Sequence, residues 1–578
     1  MRKTKIICTM GPAVDQDDVL LSLMQRGMNV ARLNFSHGSH EEHLGRVQRI
    51  KKLREQLNLP IAMLLDTKGP EIRTGNFANN RIQLEEGALV TVAASQELGS
   101  ETFIPVSYAN IHRDLKVGDR ILIDDGLIEL EVMDIENELL RCVVQNGGPV
   151  SNHKSINLPN VSTNLPALTE KDVADIKFAI EHGFDFIAAS FVRKASDVLE
   201  IRKILEKHNG EHLHIIAKIE NREGVVNFDE ILKVSDGIMV ARGDLGVEIP
   251  IQEVPTIQKS LIEKCYKVGK PSITATQMLD SMMRNPRPTR AEVSDVANAI
   301  LDGTSAIMLS GETAAGKYPV ESLAMMDSIA LQTEKTIDYW GNFNKANYQM
   351  IPSVANAISH ATCMTAMDLK ARAIVAVTHS GRTARLISRF RPECPIIATT
   401  VSQESLRQLS LSWGVYPFLV SEVFATDAMF ELGMNKALES GFVSNGDVVV
   451  ITGGTPIGMS GTTNTLKVQT IGRLLVEGKG IGKGNVSGEV LVIDSMDDVR
   501  MADLRSDYVL VARGTVNSMV NLMKKAVALI VEDEDPGSHT ATVGLALDIP
   551  VVYACENATK ILKTGSIVSV DVERGTVS

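Results

Sequence analysis

The chain has 578 residues and a formal net charge of −12, with 44% hydrophobic and 22% charged residues. This length is too great for one hydrophobic core, and it predicts three or four domains in an ordinary globular protein. The acidic balance argues against general nucleic-acid binding, which needs a basic face. A site for an anionic metabolite must therefore concentrate positive charge locally.

The six cysteines are widely spaced and form no Cys-x-x-Cys pair. This spacing indicates neither a disulfide framework nor a zinc site, and a reducing cytoplasm is the expected location. The first residues, MRKTKIICTMGP, contain an apolar run too short for a signal peptide, and no long apolar stretch predicts a membrane span.

Short apolar segments alternate with amphipathic stretches through the first part of the chain, which is typical of βα units. The eight candidate strands are KIICT, NVARLN, IAMLLD, DFIAAS, HIIAKIE, GIMVARGD, PSITAT and SAIMLSG. This is the number of strands that closes a barrel. We therefore predict an α/β protein with a (β/α)8 barrel as its catalytic domain, at residues 1–68 and 167–338.

A long interval separates the third candidate strand, which ends at Asp66, from the fourth, which ends at Ser190. It contains alternating segments, among them ILIDDGLIELEV, in which Asp125-Gly126 predicts a hairpin turn. We predict a small β domain inserted at residues 69–166. An insertion at this point lies at the C-terminal mouth of the barrel, where it can close over a substrate as a lid.

After about residue 339 the strand and helix pattern restarts in ARAIVAVTHSGRTARLISRF, PIIATT and GDVVVITGG. It predicts a doubly wound α/β domain at residues 339–474. The glycine-rich segment Glu477–Gly488 is interpreted as a linker to an extra C-terminal, α/β-like domain at residues 475–578. The candidate strands of that domain are LVIDS, DYVLVARG, ALIVEDE and IPVVYA.

A lysine and a carboxylate share one face of the fifth candidate strand. Side chains alternate across a strand, so Lys218 and Glu220 point the same way, and the next apolar run ends in Asp244. A lysine and two carboxylates at the mouths of neighbouring strands suit a divalent cation beside a phosphorylated anion. A structural salt bridge is the alternative, but unpaired ions within apolar runs are costly, which favours a functional site.

Polar residues also follow the ends of other candidate strands. Active sites of barrel enzymes lie where strands end and loops begin, so we expect these side chains to converge. Arg32, Asn34 and Ser36 lie at or just after the end of the second strand, and Asp66 and Thr67 end the third, with Glu71 and Arg73 just beyond. Thr276 ends the seventh strand and Ser310 the eighth.

The chain resembles the pyruvate kinase family over roughly residues 1–472, in the motifs NVARLNFSHG, LDTKGPEIRTG, IIAKIENREG, MVARGDLGVEIP, TATQMLDSM and RPTRAEVSDVANA. The resemblance implies transfer of the phosphoryl group of phosphoenolpyruvate to ADP, with Mg²⁺ or Mn²⁺ and K⁺ as cofactors. It also implies a homotetramer of D₂ symmetry. No nucleic-acid or membrane partner is expected.

The residue types agree with that chemistry, because phosphoryl transfer depends on positioning and on neutralising spread charge. Arg32 suits bidentate phosphate binding, and Lys218 can follow the moving phosphoryl group and stabilise the enolate. Glu220 and Asp244 are hard oxygen ligands for the divalent ion. Gly243 lets backbone N–H groups approach the substrate, because no Cβ intervenes.

The enolate left after transfer must take a proton on carbon. Thr276 matches the threonine that the family has beside the enolate. An unperturbed hydroxyl is a poor acid, so we expect a water relay through Thr276, with Ser310 as a second candidate. A threonine or serine that merely ends a strand is the alternative.

The resemblance also assigns a monovalent-cation site. Members that need K⁺ have an acid at the position of Glu71 and the others have lysine, so activity is predicted to depend on K⁺. The residues that match the K⁺ site are Asn34, Ser36, Asp66 and Thr67. Nucleotide-phosphate contacts are matched by Arg73, His37 and Lys154, although exposed Lys and His residues are often merely solvated.

The segment VTHSGRTARL follows a candidate strand and opens a helix, where hydroxyls and backbone N–H groups suit a phosphate. The resemblance implies an allosteric site for a phosphorylated metabolite, formed by Thr378, Ser380, Gly381 and Thr383. Fructose bisphosphate, a sugar monophosphate such as ribose 5-phosphate, and AMP all remain open as the ligand.

The segment PGSHTATVGLALDIPVV resembles the swivelling phosphohistidine domain of phosphoenolpyruvate synthases, with His539 at the position of the phosphorylated histidine. Acidic residues at Asp533, Glu534 and Asp535 would repel a phosphoryl group. We therefore expect a packing or regulatory role for this domain rather than a phosphocarrier.

Two other functions remain as alternatives. A phosphoenolpyruvate synthase or dikinase needs an ATP-grasp domain and has its histidine domain ahead of the barrel, the reverse of the order here. A non-catalytic sugar-phosphate sensor would have lost catalytic residues, whereas Arg32, Lys218, Glu220 and Asp244 are all present.

Overall fold

A computed structural model of the chain describes residues 1–345, 352–423, 425–455, 463–471, 475–494 and 506–578. The chain divides into two units, the first made of Met1–Ala357 and Thr378–Ser421 and the second of Ile358–Val377 and Glu422–Ser578. Within the described ranges, no helix combines the length and the apolar character needed to cross a bilayer.

The first unit begins with three neighbouring parallel strands, β1 (Lys5–Thr9), β2 (Val30–Asn34) and β3 (Ala62–Asp66). They are connected by helices α1 (Asp17–Gln25) and α2 (His40–Leu57). Helix α2 starts at a capping box, in which the Ser39 side chain accepts from Glu42 N and Glu42 Oε2 accepts from Ser39 N. It ends at Leu57, because the next residue, Asn58, adopts a left-handed conformation with a φ of 51°.

An inserted β domain separates β3 from the next barrel strand, as predicted. Its seven-stranded sheet has the order β4-β12-β8-β9-β10-β6-β7, and β11 pairs with β5. The hairpin predicted at Asp125-Gly126 is confirmed, because Ile123 pairs with Ile128 across it. The elements are β4 (Ile72–Arg73), β5 (Arg81–Leu84), β6 (Leu89–Ala94), β7 (Phe103–Val106), α3 (Ile111–Asp114), β8 (Arg120–Ile123), β9 (Ile128–Glu136), β10 (Leu139–Asn146), β11 (Gly148–Ser151) and β12 (Ser155–Asn157).

Five further parallel strands complete the barrel, and the last pairs with β1, so the predicted eight-stranded barrel is confirmed. These strands are β13 (Phe186–Ala189), β14 (His214–Ile219), β15 (Gly237–Ala241), β16 (Ser272–Ala275) and β17 (Ala306–Leu309). The helices are α4 (Glu170–Glu181), α5 (Ala195–Lys207), α6 (Arg222–Val226), α7 (Phe228–Val234), α8 (Arg242–Glu248), α9 (Val254–Val268), α10 (Arg290–Leu301), α11 (Gly311–Ala314), α12 (Pro319–Glu334) and α13 (Tyr339–Lys345), with 3-10 turns at Pro12–Val14, Ile251–Glu253 and Asp280–Met283.

Helix α14 (Val354–Asp368) crosses the division between the units, and β18 (Ala373–Val377) belongs to the second. The segment Thr378–Ser421 returns to the first unit, where Leu411 packs against the side chains that fill the barrel. It approaches the amino ends of the barrel strands, since Lys5 Nζ donates to Val415 O. Its elements are α15 (Arg382–Ser388), β19 (Ile396–Thr400), α16 (Gln403–Gln408), a 3-10 turn at Leu409–Leu411 and β20 (Val415–Leu419).

The second unit contains α17 (Thr426–Glu439), β21 (Val448–Gly454) and β22 (Thr463–Thr470). Strand β21 runs parallel to β18 and antiparallel to β22. The domain boundary predicted at residues 474 and 475 adjoins residues 472–474, which lie outside the described residues.

An eight-stranded sheet of order β23-β30-β29-β25-β26-β27-β28-β24 forms the C-terminal part. Its strands are β23 (Val476–Glu477), β24 (Lys479–Ile481), β25 (Asn485–Ile493), β26 (Tyr508–Ala512), β27 (Ala526–Val531), β28 (Val551–Tyr553), β29 (Ile567–Asp571) and β30 (Thr576–Val577). The helices are α18 (Val520–Met523), α19 (His539–Ala546) and α20 (Ala558–Ile561), with a 3-10 turn at Asn517–Met519.

The interpretation of Glu477–Gly488 as a linker is wrong, because this segment contributes to β23, β24 and β25. Its glycines allow close backbone approach. A Cβ on Gly478 would lie 2.4 Å from Tyr553 O, and one on Gly480 would lie 1.5 Å from Val572 O. Glycine is therefore needed here for packing, although the same composition is typical of flexible linkers.

Candidate active site

A buried ion-pair network lies at the C-terminal ends of β2, β3 and β14. Arg32 Nε is 2.7 Å from Asp66 Oδ2, and Lys218 Nζ is 3.1 Å from Asp66 Oδ1. Lys218 Nζ is also 2.9 Å from Glu220 Oε1, which confirms that these two side chains share a face. The four side chains are nearly inaccessible to solvent, so mutual pairing is what makes their burial tolerable.

The network shifts the pKa values of its members. Burial raises the pKa of Glu220 to about 7, and the nearby Asp244 charge adds to that shift against the opposing effect of Lys218. Burial alone would also raise the pKa of Asp66, but Arg32 and Lys218 outweigh it and hold that pKa low. The carboxylates raise the pKa of Lys218 despite its burial, so the lysine stays protonated.

Asp244 lies in the first turn of α8, and the prediction that it ends the sixth strand is wrong, because β15 stops at Ala241. The Arg242 guanidinium donates to the carbonyls of Ala275 and Thr276 at 3.3 and 2.9 Å. These contacts with the end of β16 hold the chain where the helix begins. Burial raises the pKa of Asp244.

Thr276 follows β16 directly and has a φ of 75°, a conformation that a β-branched residue rarely adopts. A Cβ on Gly243 would lie 2.8 Å from Thr276 Cγ2, so only glycine allows this approach between α8 and the threonine. Strain of this kind concentrates at functional sites.

The loop after β17 contains a buried carboxylate, Glu312, that the sequence did not indicate. Glu312 accepts from Ser310 N and Leu279 N at 2.7 and 3.0 Å.

A cavity of about 610 Å³ lies between the inserted domain and the barrel, and Glu71, Arg73, Asp125, Lys154 and Asp244 contribute to its wall. Arg73 Nη2 is 2.6 Å from Glu71 Oε2, and Lys154 Nζ is 2.9 Å from Asp124 Oδ1. The structure therefore brings two of the predicted nucleotide contacts to the same cavity as Asp244.

The predicted monovalent-cation residues gather at the ends of β2 and β3. Asn34 pairs in register with Asp66, and Asn34 Oδ1 accepts from Ser36 N at 3.1 Å. Thr67 follows Asp66 and its carbonyl accepts from Ser190 Oγ at 2.6 Å. His37, the third predicted nucleotide contact, is exposed in the turn after β2.

Two hydroxyl residues of the network were not predicted. Thr9 Oγ1 accepts from Arg32 Nη1 at 2.9 Å, and Ser190 Oγ accepts from Lys218 Nζ at 2.8 Å. Both follow the pattern used for the other strands, because KIICT and DFIAAS each end in a hydroxyl residue. That signal could have identified them.

Three of the predicted effector residues, Thr378, Ser380 and Gly381, lie in the loop that precedes α15, and Thr383 lies in the first turn of that helix. All four belong to the segment that approaches the amino ends of the barrel strands. Gly381, at the start of α15, has a φ of 75°, and Thr378 N donates to Thr399 O at 3.0 Å. Arg385 Nη2 donates to Ser380 O at 2.9 Å, and burial lowers the pKa of Arg385 to about 10. The structure does not bring these residues to the cavity beside Asp244.

His539 is the first residue of α19, and both of its ring nitrogens have hydrogen-bond partners. Nδ1 is 2.8 Å from Thr515 Oγ1, and Nε2 is 2.9 Å from Asn517 Oδ1. Because Asn517 Oδ1 accepts, Nε2 donates and Nδ1 accepts from the Thr515 hydroxyl. Both nitrogens are therefore occupied in this conformation.

The closed (β/α)8 barrel gathers an arginine, a lysine and acidic residues at its strand ends, where barrel enzymes have their active sites, and these groups suit phosphoryl transfer. Comparison with known proteins specifies the family. The family model "Pyruvate kinase, barrel domain" matches residues 1–323, "Pyruvate kinase, alpha/beta domain" matches 356–469, and "PEP-utilising enzyme, mobile domain" matches 504–575. The chain belongs to the pyruvate kinase family.

Pyruvate kinases that match this chain over its full length support the family assignment. The chain is 50% identical to the pyruvate kinase of Sporosarcina psychrophila, over 100% of this chain and 99% of that protein. It is also 50% identical to the Geobacillus stearothermophilus pyruvate kinase, over 100% of this chain and 98% of that protein. A crystal structure of a Cryptosporidium parvum pyruvate kinase has a TM-score of 0.78 and 38% identity, over 82% of this chain and 96% of that one. The predicted activity, phosphoryl transfer from phosphoenolpyruvate to ADP, is confirmed.

Proposed function

We propose that this reaction takes place at the barrel mouth, with Arg32 and Lys218 on the transferred phosphoryl group. The observation that carries the proposal is the buried contact of Lys218 with Asp66 and Glu220. It holds a permanently protonated ammonium at the carboxyl ends of the strands, where barrel enzymes bind substrate. Arg32, fixed by Asp66, adds a planar guanidinium suited to phosphate oxygens.

Glu220 and Asp244 are proposed as ligands of Mg²⁺ or Mn²⁺, and the residues fit such an ion. Burial raises the pKa of both carboxyl groups, and the Asp244 charge raises that of Glu220 further. A divalent cation beside them would offset this cost of holding two buried negative charges. Both offer the hard oxygen atoms that these ions prefer. When bound, the ion supplies Lewis-acid polarisation of substrate oxygens.

The remaining steps are proposed for groups of the chain itself. Lys218 neutralises charge on the phosphoryl group and then on the enolate oxygen. Backbone N–H groups at Gly243 and Asp244 orient the substrate, because the absence of a Cβ permits its close approach. Thr276, next to Gly243, orients the water that gives the enolate its proton, and Ser310 is the second candidate for this relay.

A K⁺ ion is proposed at Asn34, Ser36, Asp66 and Thr67. These residues supply oxygen donors with a single formal charge, which suits a weakly hydrated monovalent ion. Arg73 and Lys154 are proposed to bind the ADP phosphates, supported by their position in the cavity that Asp244 also lines. His37 is the third proposed contact.

A phosphorylated metabolite is proposed to bind the loop of Thr378, Ser380, Gly381 and Thr383 and to regulate activity allosterically. Support comes from a loop rich in hydroxyls with a left-handed glycine at the start of α15. Fructose bisphosphate, a sugar monophosphate and AMP are the candidate ligands. The proposed assembly is a homotetramer.

A pyruvate-forming assay with phosphoenolpyruvate, ADP, Mg²⁺ and K⁺ tests the catalytic proposal. Lys218→Met should abolish turnover while the protein still unfolds in a cooperative thermal transition, at a lower Tm because two buried carboxyl groups lose a partner. Lys264→Met, at a partly exposed lysine that pairs with Asp229, is the matched control and should retain activity. Retention of activity by Lys218→Met would refute the assignment.

A further inference from the structure

Ser190 touches both the proposed catalytic lysine and the proposed K⁺ site. Its hydroxyl oxygen lies 2.8 Å from Lys218 Nζ, 2.6 Å from Thr67 O and 3.3 Å from Asp66 Oδ1. Its backbone N–H donates to Thr67 Oγ1 at 3.1 Å. The residue is only 6% exposed, so water does not compete freely for these contacts.

The chemistry of the hydroxyl fixes the direction of each hydrogen bond. An ammonium can only donate, so Ser190 Oγ accepts from Lys218. A hydroxyl has a single proton, and the shortest contact directs it to the Thr67 carbonyl at 2.6 Å. Ser190 thus accepts from the lysine and donates to a proposed cation ligand at the same time.

The ammonium of Lys218 has three close partners. It donates hydrogen bonds to Ser190 Oγ and Asp66 Oδ1, and it forms an ion pair with Glu220 Oε1. Only the serine is neutral. Without that hydroxyl the ammonium would be held by the two carboxylates alone. It would then be drawn toward Glu220, which the divalent ion also requires.

We propose that Ser190 is a positioning residue that couples the monovalent-cation site to Lys218. Its hydroxyl holds the ammonium at a fixed place relative to Asp66 and orients the Thr67 carbonyl toward the cation. This rests on the proposed function, since it takes Lys218 as the group on the phosphoryl and Asp66 and Thr67 as cation ligands. The alternative is a buried serine that only satisfies local hydrogen bonds.

The test compares Ser190→Ala and Ser190→Thr with Ser272→Ala. Ser272 is a matched control, because it is a buried serine at the start of β16 that exchanges hydrogen bonds with Ser305, both at 3.3 Å. For each protein we would measure kcat, KM for both substrates and the K⁺ concentration for half-maximal activation. A second readout, without substrates, is the increase in Tm that K⁺ produces.

Ser190→Ala should lower kcat by about ten- to a hundredfold, the effect expected for loss of a hydrogen bond to a charged group. It should also raise the half-activating K⁺ concentration and reduce the K⁺-induced Tm shift, with KM for ADP unchanged. Ser190→Thr, which keeps the hydroxyl, should recover much of kcat and of the response of activity and Tm to K⁺. Ser272→Ala should lower Tm and leave kcat, both KM values and the response to K⁺ unchanged.

The coupling is overturned if Ser190→Ala leaves the K⁺ response of Tm and of activity unchanged, whether or not kcat falls. It is also overturned if Ser272→Ala alters the K⁺ response equally. Failure of the underlying function would look different, because Lys218→Met would then stay active whatever the serine variants do.

Discussion

Arg407 Nε lies 2.7 Å from Asp185 Oδ1, joining α16 to the amino end of the fourth barrel strand. The other oxygen of Asp185 accepts from Met63 N at 2.8 Å, at the start of the strand that ends in Asp66. The carboxylate is 1% exposed, and burial raises its pKa even though Arg407 opposes the shift. One buried pair therefore links the segment that carries the proposed effector residues to a strand of the proposed active site.

Arg407→Ala should destabilise the first unit by about 3–5 kcal/mol, because it leaves a buried carboxylate without its partner. Thermal unfolding of the variant measures this loss. Asp185→Asn and the double variant Asp185→Asn/Arg407→Ala complete the comparison, and the double variant should lose less than the sum of the two single changes. Additive losses would show that the two side chains do not interact in solution.

Gly243→Ala should lower kcat/KM by about tenfold or more, since the new Cβ would lie 2.8 Å from Thr276 Cγ2 and overpacking costs about 1–3 kcal/mol. Steady-state kinetics with phosphoenolpyruvate measure the effect. Thr276→Ser removes Cγ2 and keeps the hydroxyl, so Gly243→Ala/Thr276→Ser should regain activity relative to Gly243→Ala alone. No recovery would mean that the methyl contact is not the cause.

Much of the fold could be predicted because strand and helix periodicities are local. Eight apolar runs with polar ends predicted the barrel, and the length of the interval after Asp66 predicted the inserted domain. The pairing of Lys218 with Glu220 followed from alternation along one strand.

The features that the sequence did not predict depend on contacts between distant segments. Strand β15 stops at Ala241 because Arg242 reaches the carbonyls of the next strand, and nothing local in GIMVARGD marks that point. Gly480 packs against Val572 O, far along the chain, so its local composition indicated a linker. The sequence places a hydroxyl at Ser190, at the end of DFIAAS, but its contacts with Lys218 and Thr67 join segments that are distant along the chain.

The buried Lys5 should make the stability of the protein depend on pH. Burial lowers the pKa of Lys5 from 10.5 to about 7. The nearby Arg2 charge adds to this shift, and the Glu334 charge opposes it. Its ammonium also lies 4.6 Å from the centre of the Tyr416 ring. Above pH 7 the folded lysine becomes neutral while the unfolded one stays protonated, so the unfolded state binds the extra proton.

The free energy of unfolding of the wild type, relative to Lys5→Met, should therefore rise between pH 8 and 10, by about 1.4 kcal/mol per pH unit at most. The penalty for charging the buried lysine is fully present below pH 7. Denaturant unfolding of both proteins across this range measures the difference. A difference that falls with rising pH would contradict the direction of the shift.

Glu71→Lys should weaken the dependence of activity on K⁺, because a fixed ammonium can replace the charge of the ion. Glu71 Oε2 lies 2.6 Å from Arg73 Nη2, so the variant also places a like charge beside a proposed nucleotide contact. The KM for ADP should change as well. Assays with K⁺ and with a bulky organic cation in its place measure the dependence.

Glu71→Gln separates these two effects. It removes the partner of Arg73 without adding a cation, so it should alter the KM for ADP and keep the requirement for K⁺. If Glu71→Gln becomes as independent of K⁺ as Glu71→Lys, loss of the acid rather than gain of a positive charge governs the requirement. If neither variant changes the K⁺ response, Glu71 has no part in it.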